Sequence, residues 1–250
     1  MKRAIAIILL VLTADQWLKV WVKLNMLYGS EIPLIGDWCR LRFIENPGMA
    51  FGLAWGGETG KLLLTLFRIV AVIGIAWYLR KLVLQKRHRG LIACMALIFA
   101  GAMGNIIDSA FYGLIWDKGT VLDPLSGAPV EYIGAAALST PGYASFLHGS
   151  VVDMFYFPII QDARWPDWVP WLGGRYFTFF SAIFNIADAS ITIGVACLIL
   201  FQKRFYAVPK DGFPFATTAP AGPADEVNTS AATEAANGTA TDQAVDPAQR

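Results

Sequence analysis

The sequence predicts an α-helical membrane protein with four transmembrane helices, a small β-hairpin and long loops on the outer side of the membrane. Of its 250 residues, 56% are hydrophobic and only 16% are charged, whereas soluble domains are nearer a quarter charged. Four apolar segments approach or exceed the length of about 20 residues that a bilayer requires. They cover about 4–23, Leu62 to about Leu84, Leu91 to about Ile107, and about Phe184 to Phe201.

The first apolar segment allows two interpretations. A basic start at Lys2 and Arg3, followed by the short apolar run 4–12, fits a cleaved signal peptide. Apolar and aromatic residues continue to Val22, however, which gives the segment enough length to cross the bilayer. We expect a retained first helix, because three further spans follow it.

Basic residues assign a side of the membrane to each connection. They precede the first span, follow the fourth, and cluster around the link between the second and third spans. Because positive residues gather on the cytoplasmic side, both termini and the loop 85–90 are predicted to be cytoplasmic. The segments 24–60 and 112–182 are then extracytoplasmic. Lys19 and Lys23, towards the outer end of the first helix, are expected to extend their ammonium groups to the membrane surface.

A β-hairpin is predicted between the first two spans. The segment 38–44 alternates basic and apolar residues, which is the period of a half-exposed strand. Asn46-Pro47-Gly48 follows with Pro and Gly placed as in a type II turn, and 50–53 is a candidate return strand. The sequence therefore predicts an outer β element at about 36–56.

The rest of the chain divides into one folded domain and a tail. Beyond Phe215 almost no large apolar residue occurs, so 211–250 is predicted to be a disordered cytoplasmic tail. The domain, 1–210, carries two outer inserts at about 112–148 and 158–180. Both are rich in aromatic residues, Gly and Pro. Aromatic residues are enriched at membrane interfaces, so these inserts could form a lid or a flap resting on the membrane.

Polar residues recur at the outer ends of the third and fourth spans. Asn105 with Asp108, and Asn185 with Asp188, are each three residues apart and therefore share a helix face. The third helix runs outward and the fourth inward, so both pairs fall at one depth. Asp153 reaches the same level from the outer loop. Topology alone thus gathers these side chains into one layer.

Structural roles remain open for several members of this layer. Asn105 and Asn185 could bridge helices through hydrogen bonds, and Asp108 could cap the end of the third helix. Asp15 and Lys19 are four residues apart on the first helix and fit a buried ion pair. We interpret that pair mainly as structural support.

Asp153 and Asp188 are the candidates for chemistry. Both are flanked by apolar residues with no adjacent base, and a charged residue inside a membrane costs about 2.5 to 3.5 kcal/mol or more. Two close carboxyl groups share one proton, because like charges raise one of the two pKa values. One can then act as a base and the other as an acid. Which residue takes which role remains open.

Other chemistries have little support in the sequence. The two histidines, His88 and His148, form no H-E-x-x-H motif, and neither G-x-S-x-G nor a glycine-rich phosphate loop is present. We predict no metal site and no cofactor. A net charge of +1 argues against nucleic acid as a partner. A proton or cation transporter is the main alternative to a peptidase, although it would not need Asn46-Pro-Gly48 beside two Asn-x-x-Asp helices.

Five motifs together resemble those of the lipoprotein signal peptidase (signal peptidase II) family. The likeness spans about residues 1–205, and the joint pattern is specific although no single motif is. The motifs are Asp15-Gln-x-x-Lys19, Asn46-Pro-Gly-Met-Ala-Phe-Gly52, Gly101-x-x-Gly-Asn-Ile-Ile-Asp108, Val151-Val-Asp153 and Phe184-Asn-Ile-Ala-Asp188.

The resemblance implies an aspartic endopeptidase of the bacterial inner membrane. Such enzymes cut prolipoproteins just before the diacylglyceryl-modified cysteine. The implied fold is four transmembrane helices with an extracytoplasmic β-cradle, and the implied partners are lipid-modified prolipoproteins and membrane lipid. We also expect a monomer and inhibition by globomycin-type compounds. The implied catalytic residues are Asp153 and Asp188, and the implied substrate-binding or supporting residues are Asp15, Lys19, Asn46, Gly48, Asn105, Asp108 and Asn185.

The chain departs from the family pattern in two ways. Ser109 follows Asp108, where the family usually has Arg. Arg68, in the outer part of the second span, could supply the missing cation. The link from Asp108 to Asp153 is also longer than in the family, because of the inserts.

Overall fold

The computed structural model describes residues 1–47, 57–122 and 129–206. Four long helices dominate this part of the chain, and each is long and apolar enough to cross a membrane, which confirms the four predicted spans. A π-helical turn, Asp108–Tyr112, follows the third helix. The helices are α1 (Lys2–Asn25), α2 (Gly57–Leu84), α3 (Arg89–Ile107), the short α4 (Gly113–Ile115) and α5 (Ile186–Phe205).

The start of α5 is fixed by hydrogen bonds to unpaired backbone amides, as expected for a helix N-terminus. The side chain of Asn185 accepts a 2.9 Å hydrogen bond from the backbone N–H of Asp188. The carboxylate of Asp188 in turn accepts one of 3.4 Å from the backbone N–H of Asn185. This reciprocal capping box explains why the fourth span begins at Ile186.

Helix α3 packs against α1, α2 and α5. Gly101 makes its contact with α5 close, since a Cβ there would lie 2.2 Å from the carbonyl oxygen of Ala187 and 2.4 Å from Oγ of Ser190. A glycine is therefore required at this crossing. The contact sets α5 at the distance from α3 that the polar side chains at their outer ends need.

A four-stranded antiparallel sheet lies beside the ends of the helices. Its order is β1-β2-β5-β8, with β5 in hydrogen-bonded contact with both β2 and β8. Two separate hairpins, β3–β4 and β6–β7, belong to the inserts. The strands are β1 (Glu31–Ile35), β2 (Cys39–Asn46), β3 (Val121–Leu122), β4 (Pro129–Val130), β5 (Val151–Tyr156), β6 (Ile160–Arg164), β7 (Tyr176–Phe179) and β8 (Ile183–Phe184).

The predicted strand at 38–44 is confirmed by β2, which begins at Cys39 and in which buried residues alternate with half-exposed ones. Its partners are β1 and β5, so the sheet is larger than the predicted hairpin and includes a strand from after the third span. The predicted return strand at 50–53 lies outside the described residues. So do Gly48 and the tail 211–250.

The first insert contributes to the core. Trp116 and Ala136 are buried in one cluster with Val22 of α1, Phe43 of β2 and Met154 of β5. The second insert differs, because its β6–β7 hairpin leaves Trp168 and Trp171 82% and 93% exposed. The insert at 112–148 therefore holds the sheet on the helices, whereas that at 158–180 presents aromatic side chains outward.

Candidate active site

Polar side chains converge where α3 ends, α5 begins and β5 crosses them. Asp153 lies in the middle of β5 and is 5% exposed, whereas Asp188 in the first turn of α5 is half-exposed. Asn105 and Asp108 lie at the end of α3, and both are buried. The layer of polar groups expected from topology is therefore present.

Asn185 links the elements of this site. Its Nδ2 donates a 2.7 Å hydrogen bond to Oδ1 of Asp153 and lies 3.1 Å from Oδ1 of Asn105. It is also 3.2 Å from the carbonyl oxygen of Val152. Its Oδ1 meanwhile accepts the N–H of Asp188. One buried carboxamide thus contacts both candidate aspartates.

Asn105 completes the connection between the two carboxyl groups. Its Nδ2 donates a 2.8 Å hydrogen bond to Oδ1 of Asp188, while its Oδ1 receives Nδ2 of Asn185. The helix-bridging role considered for the two asparagines is therefore present. It coexists with direct contacts from them to Asp153 and Asp188.

The environment of Asp153 favours its protonated form. Burial, followed by the nearby charge of Asp188, raises the pKa of Asp153 from 3.8 to about 7. Lys19 and hydrogen bonds from Asn46 and Asn185 oppose this effect. Nδ2 of Asn46, at the end of β2, lies 3.4 Å from Oδ2 of Asp153. A carboxyl group with a pKa near neutrality is suited to acid–base chemistry.

Lys19 forms the centre of a buried charge cluster next to these residues. Its Nζ lies 2.8 Å from both Asp15 and Asp108, and it donates a 3.2 Å hydrogen bond to Oδ1 of Asn105. The second carboxylate oxygen of Asp15 accepts the N–H of Ala187 at 2.9 Å. The predicted pair of Asp15 and Lys19 is thus part of a larger group that joins α1, α3 and α5.

Asp108 connects this cluster to the sheet. Its Oδ2 accepts a 3.2 Å hydrogen bond from the backbone N–H of Val152, the residue before Asp153. Its Oδ1 accepts a 2.8 Å bond from Gln16, whose Oε1 accepts the hydroxyl of Tyr112 at 3.2 Å. The site predicted from the sequence did not include Gln16 or Tyr112, although Gln16 shares a helix face with Lys19 and occurs in the first motif.

Lys23 corrects a prediction. Neither Lys19 nor Lys23 extends to the surface, because both side chains are 0% exposed. Lys23 forms an ion pair with Glu45 of β2, and its Nζ lies 5.4 to 5.7 Å from the ring centres of Phe43, Trp116 and Tyr143. The pair is stable inside the protein because the carboxylate and the aromatic faces replace water around the ammonium group.

The position after Asp108 holds a neutral residue. Ser109 is buried and its hydroxyl donates to the carbonyl oxygen of Asn105 at 3.0 Å. Arg68 takes part in none of the ion pairs within residues 1–47, 57–122 and 129–206, but its charge interacts at longer range with Asp188, Asp153 and Asp108. The cation in direct contact with Asp108 is Lys19. Within those same residues, no group of three His, Cys, Asp or Glu side chains is arranged to hold a metal.

Comparisons with known proteins agree with this architecture. The family model for signal peptidase (SPase) II matches residues 7–203. The lipoprotein signal peptidase of Porphyromonas gingivalis strain ATCC 33277 is 42% identical over 208 residues, which cover 83% of this chain and 85% of that protein. The lipoprotein signal peptidase of Amoebophilus asiaticus strain 5a2 is 39% identical over 206 residues, covering 81% and 78% respectively. A solved bacterial membrane enzyme shares the fold with a TM-score of 0.50 at 23% identity, covering 81% of this chain and 93% of that one.

The fold is that of an integral membrane protein. It has four membrane-spanning helices and a polar cluster at one end of their bundle. Its relatives place it among the membrane proteases. The chain belongs to the signal peptidase II family. The resemblance indicated by the five motifs is therefore confirmed, and the chain is a multi-pass protein of the bacterial inner membrane.

Proposed function

We propose that this protein removes signal peptides from diacylglyceryl-modified prolipoproteins by cleaving before the lipidated cysteine. It acts as an aspartic endopeptidase, with Asp153 and Asp188 as catalytic residues. The observation that carries this proposal is the position of Asn185, whose carboxamide donates to the carboxyl group of Asp153 and accepts the backbone N–H of Asp188. Family membership supports the choice of substrate.

The two carboxyl groups share the proton needed for peptide hydrolysis. Asp153 holds it in the resting enzyme, because burial raises its pKa to about 7. Asp188, which is half-exposed, acts as the base: it takes a proton from a water molecule while the water oxygen attacks the peptide carbonyl carbon. Asp153 donates its proton to the carbonyl oxygen, which gives a tetrahedral intermediate. Asp188 then gives the proton that it took from water to the leaving amine nitrogen. A hydroxyl of the intermediate returns its proton to Asp153 as the C–N bond breaks, which leaves a free carboxyl group, a free amine and a pair with one proton.

The surrounding residues hold this pair in position. Asn46, Asn105 and Asn185 orient the carboxyl groups by hydrogen bonds. The charge cluster of Asp15, Lys19 and Asp108 fixes helices α1, α3 and α5 relative to β5. Such positioning groups reduce the reorganisation that the reaction requires. Gly48 belongs to the proposed substrate-binding set by its motif alone.

The proposed orientation follows from charge. Basic residues near the ends of the spans put both termini in the cytoplasm, so the carboxyl pair lies near the extracytoplasmic face. A lipid-linked substrate can then enter sideways from the bilayer. The enzyme acts as a monomer on this proposal, and globomycin-type compounds inhibit it.

The test uses purified protein and a diacylglyceryl-prolipoprotein. Asp153→Asn and Asp188→Asn should each abolish release of the signal peptide while thermal unfolding remains cooperative. Asp162→Asn is a matched control, because Asp162 is exposed on the β6–β7 hairpin with φ of 47°, a conformation that Asn tolerates. Cleavage at the wild-type rate by either dyad variant would refute the proposal.

A further inference from the structure

A groove lies at the opposite end of α3 from the polar cluster. It has a volume of about 600 Å³ and runs between the first residues of α1 and the first residues of α3. Its walls are apolar and include Ala4, Ile7, Ile92 and Ala93. The proposed reaction gives this groove no role.

Three cations surround the groove. Lys2, Arg3 and Arg89 line it and are exposed. Among the described residues that line the groove none is acidic, and the ion pairs of residues 1–47, 57–122 and 129–206 do not involve these three. Within the described part of the chain, no carboxylate therefore neutralises this positive charge.

The depth of the groove matches a membrane interface. At about 1.5 Å per residue, α3 with its 19 residues is about 28 Å long, close to the roughly 30 Å of a hydrocarbon core. Arg89 and Asn105 therefore lie near opposite interfaces. Lipid headgroups lie at the depth of Arg89, and lipid acyl chains lie at the depth of Ile92.

We propose that the groove binds one acidic glycerophospholipid, with its phosphate beside Lys2, Arg3 and Arg89 and an acyl chain along Ile7 and Ile92. Basic pockets between transmembrane helices are known to suit anionic headgroups. A free phosphate would use the charges but not the apolar walls. A zwitterionic lipid would use the walls but gain less from three cations.

Binding there stabilises the contact between α1 and α3. Those helices carry Asp15 and Lys19 on one side and Asn105 and Asp108 on the other, all joined through the ammonium group of Lys19. A lipid that holds the opposite ends of the two helices together supports the same packing. The inference does not depend on the catalytic assignment.

The experiment measures thermal unfolding in detergent with added phosphatidylglycerol or phosphatidylcholine. For the wild type, phosphatidylglycerol at about 100 times its dissociation constant should raise the midpoint by about 5 °C or more above the value in phosphatidylcholine. The triple variant Lys2→Gln, Arg3→Gln, Arg89→Gln should lose most of that difference. Because each variant is compared with itself in two lipids, a change in its own stability does not affect the result.

A matched control removes the same charge elsewhere at that end of the bundle. Arg80→Gln, Lys81→Gln, Lys86→Gln concerns exposed residues that do not line the groove, and it should keep the wild-type difference. Loss of the difference in this control, or its retention in the groove variant, overturns the proposal, as would equal stabilisation of the wild type by both lipids.

Two further measurements separate the headgroup from the acyl chain. Ala93→Trp fills the groove but keeps all three cations, so it should also lose the lipid-dependent difference. Soluble glycerol phosphate should give no shift in the wild type. A shift equal to that of phosphatidylglycerol would show that the anion alone binds, and the lipid proposal would then be wrong.

Discussion

Nδ2 of Asn185 donates a 2.7 Å hydrogen bond to Oδ1 of Asp153, although the two residues come from a helix cap and a strand. The same side chain also caps α5 through the N–H of Asp188. Helix capping and alignment of the two aspartates therefore depend on a single carboxamide. A substitution that keeps the cap acceptor but removes the N–H donor separates the two roles.

Asn185→Ser should retain the fold and lose most activity. A serine hydroxyl still accepts from the N–H of Asp188, so the free energy of unfolding should change by no more than about 1 kcal/mol from the cap. It cannot reach Asp153 and Asn105 as the carboxamide does. We expect kcat/KM to fall by about 100-fold or more, since a misplaced catalytic group costs that much. Asn185→Ala should be equally inactive but less stable by about 1 kcal/mol. If Asn185→Ser were active, the bridging contacts of the carboxamide would not be needed for catalysis.

Stability should depend on pH through Asp153. Its pKa rises from 3.8 to about 7 on folding, so the native state binds more protons than the unfolded state between these values. The contribution of this group to the free energy of unfolding is fully present below pH 3.8 and is lost as the pH rises through 7. The wild type should therefore become less stable than Asp153→Asn across this range, by at most about 4 kcal/mol.

Thermal unfolding in detergent from pH 4 to 8 measures this difference. Asp162→Asn serves as a control, since it also removes one carboxyl group but does so on the exposed β6–β7 hairpin. A gap between wild type and Asp153→Asn that is flat with pH, or that closes as pH rises, would contradict the assignment.

Asn46 should tune the pH dependence of cleavage. If Asp153 must be protonated, kcat/KM should decline on the alkaline side of about pH 7, which is the pKa of that group. The hydrogen bond from Asn46 favours the ionised carboxylate, so Asn46→Ala should move the alkaline limb to higher pH. Asn25→Ala, on the exposed end of α1, should leave the alkaline limb unchanged. If neither variant shifts the limb, Asn46 does not affect the titration of Asp153.

Local hydrophobicity was enough to predict the four spans, and the alternation of basic and apolar residues was enough to predict the strand β2. The layer containing Asp153 and Asp188 was predicted from topology, because α3 and α5 run in opposite directions. The setting of Lys23 could not be predicted in that way. Its partners come from β2 and from the first insert, and no short-range pattern brings them together. From the sequence alone, a lysine near a helix end is predicted to be exposed, because its distant partners are not known.

The pair of Lys23 and Glu45 should therefore be costly to break. Lys23→Met leaves Glu45 buried without a counter-ion, and one of its carboxylate oxygens already has no hydrogen-bond partner within residues 1–47, 57–122 and 129–206. We expect a loss of about 3 to 5 kcal/mol in the free energy of unfolding. The double variant Lys23→Met, Glu45→Gln should recover most of it, because no buried charge remains. Breaking the exposed pair of Lys118 and Glu131 should cost at most about 1 kcal/mol, and a similar cost for both pairs would contradict the burial argument.

Arg68 should support catalysis by its charge rather than by contact. It lies on α2 and forms no ion pair within residues 1–47, 57–122 and 129–206, yet its charge interacts with Asp188, Asp153 and Asp108. Two unit charges in contact at about 4 Å interact by about 4 kcal/mol at an effective dielectric of about 20, and a more distant charge contributes a fraction of this. Arg68→Gln should therefore lower kcat/KM by about 10-fold or more, and Arg68→Lys should restore much of it, because the positive charge returns. Arg80→Gln, near the other end of α2, is the control for charge removal. If Arg68→Gln showed undiminished cleavage and stability, the prediction would be wrong. Lys19 would then be the cation on which the acidic cluster depends.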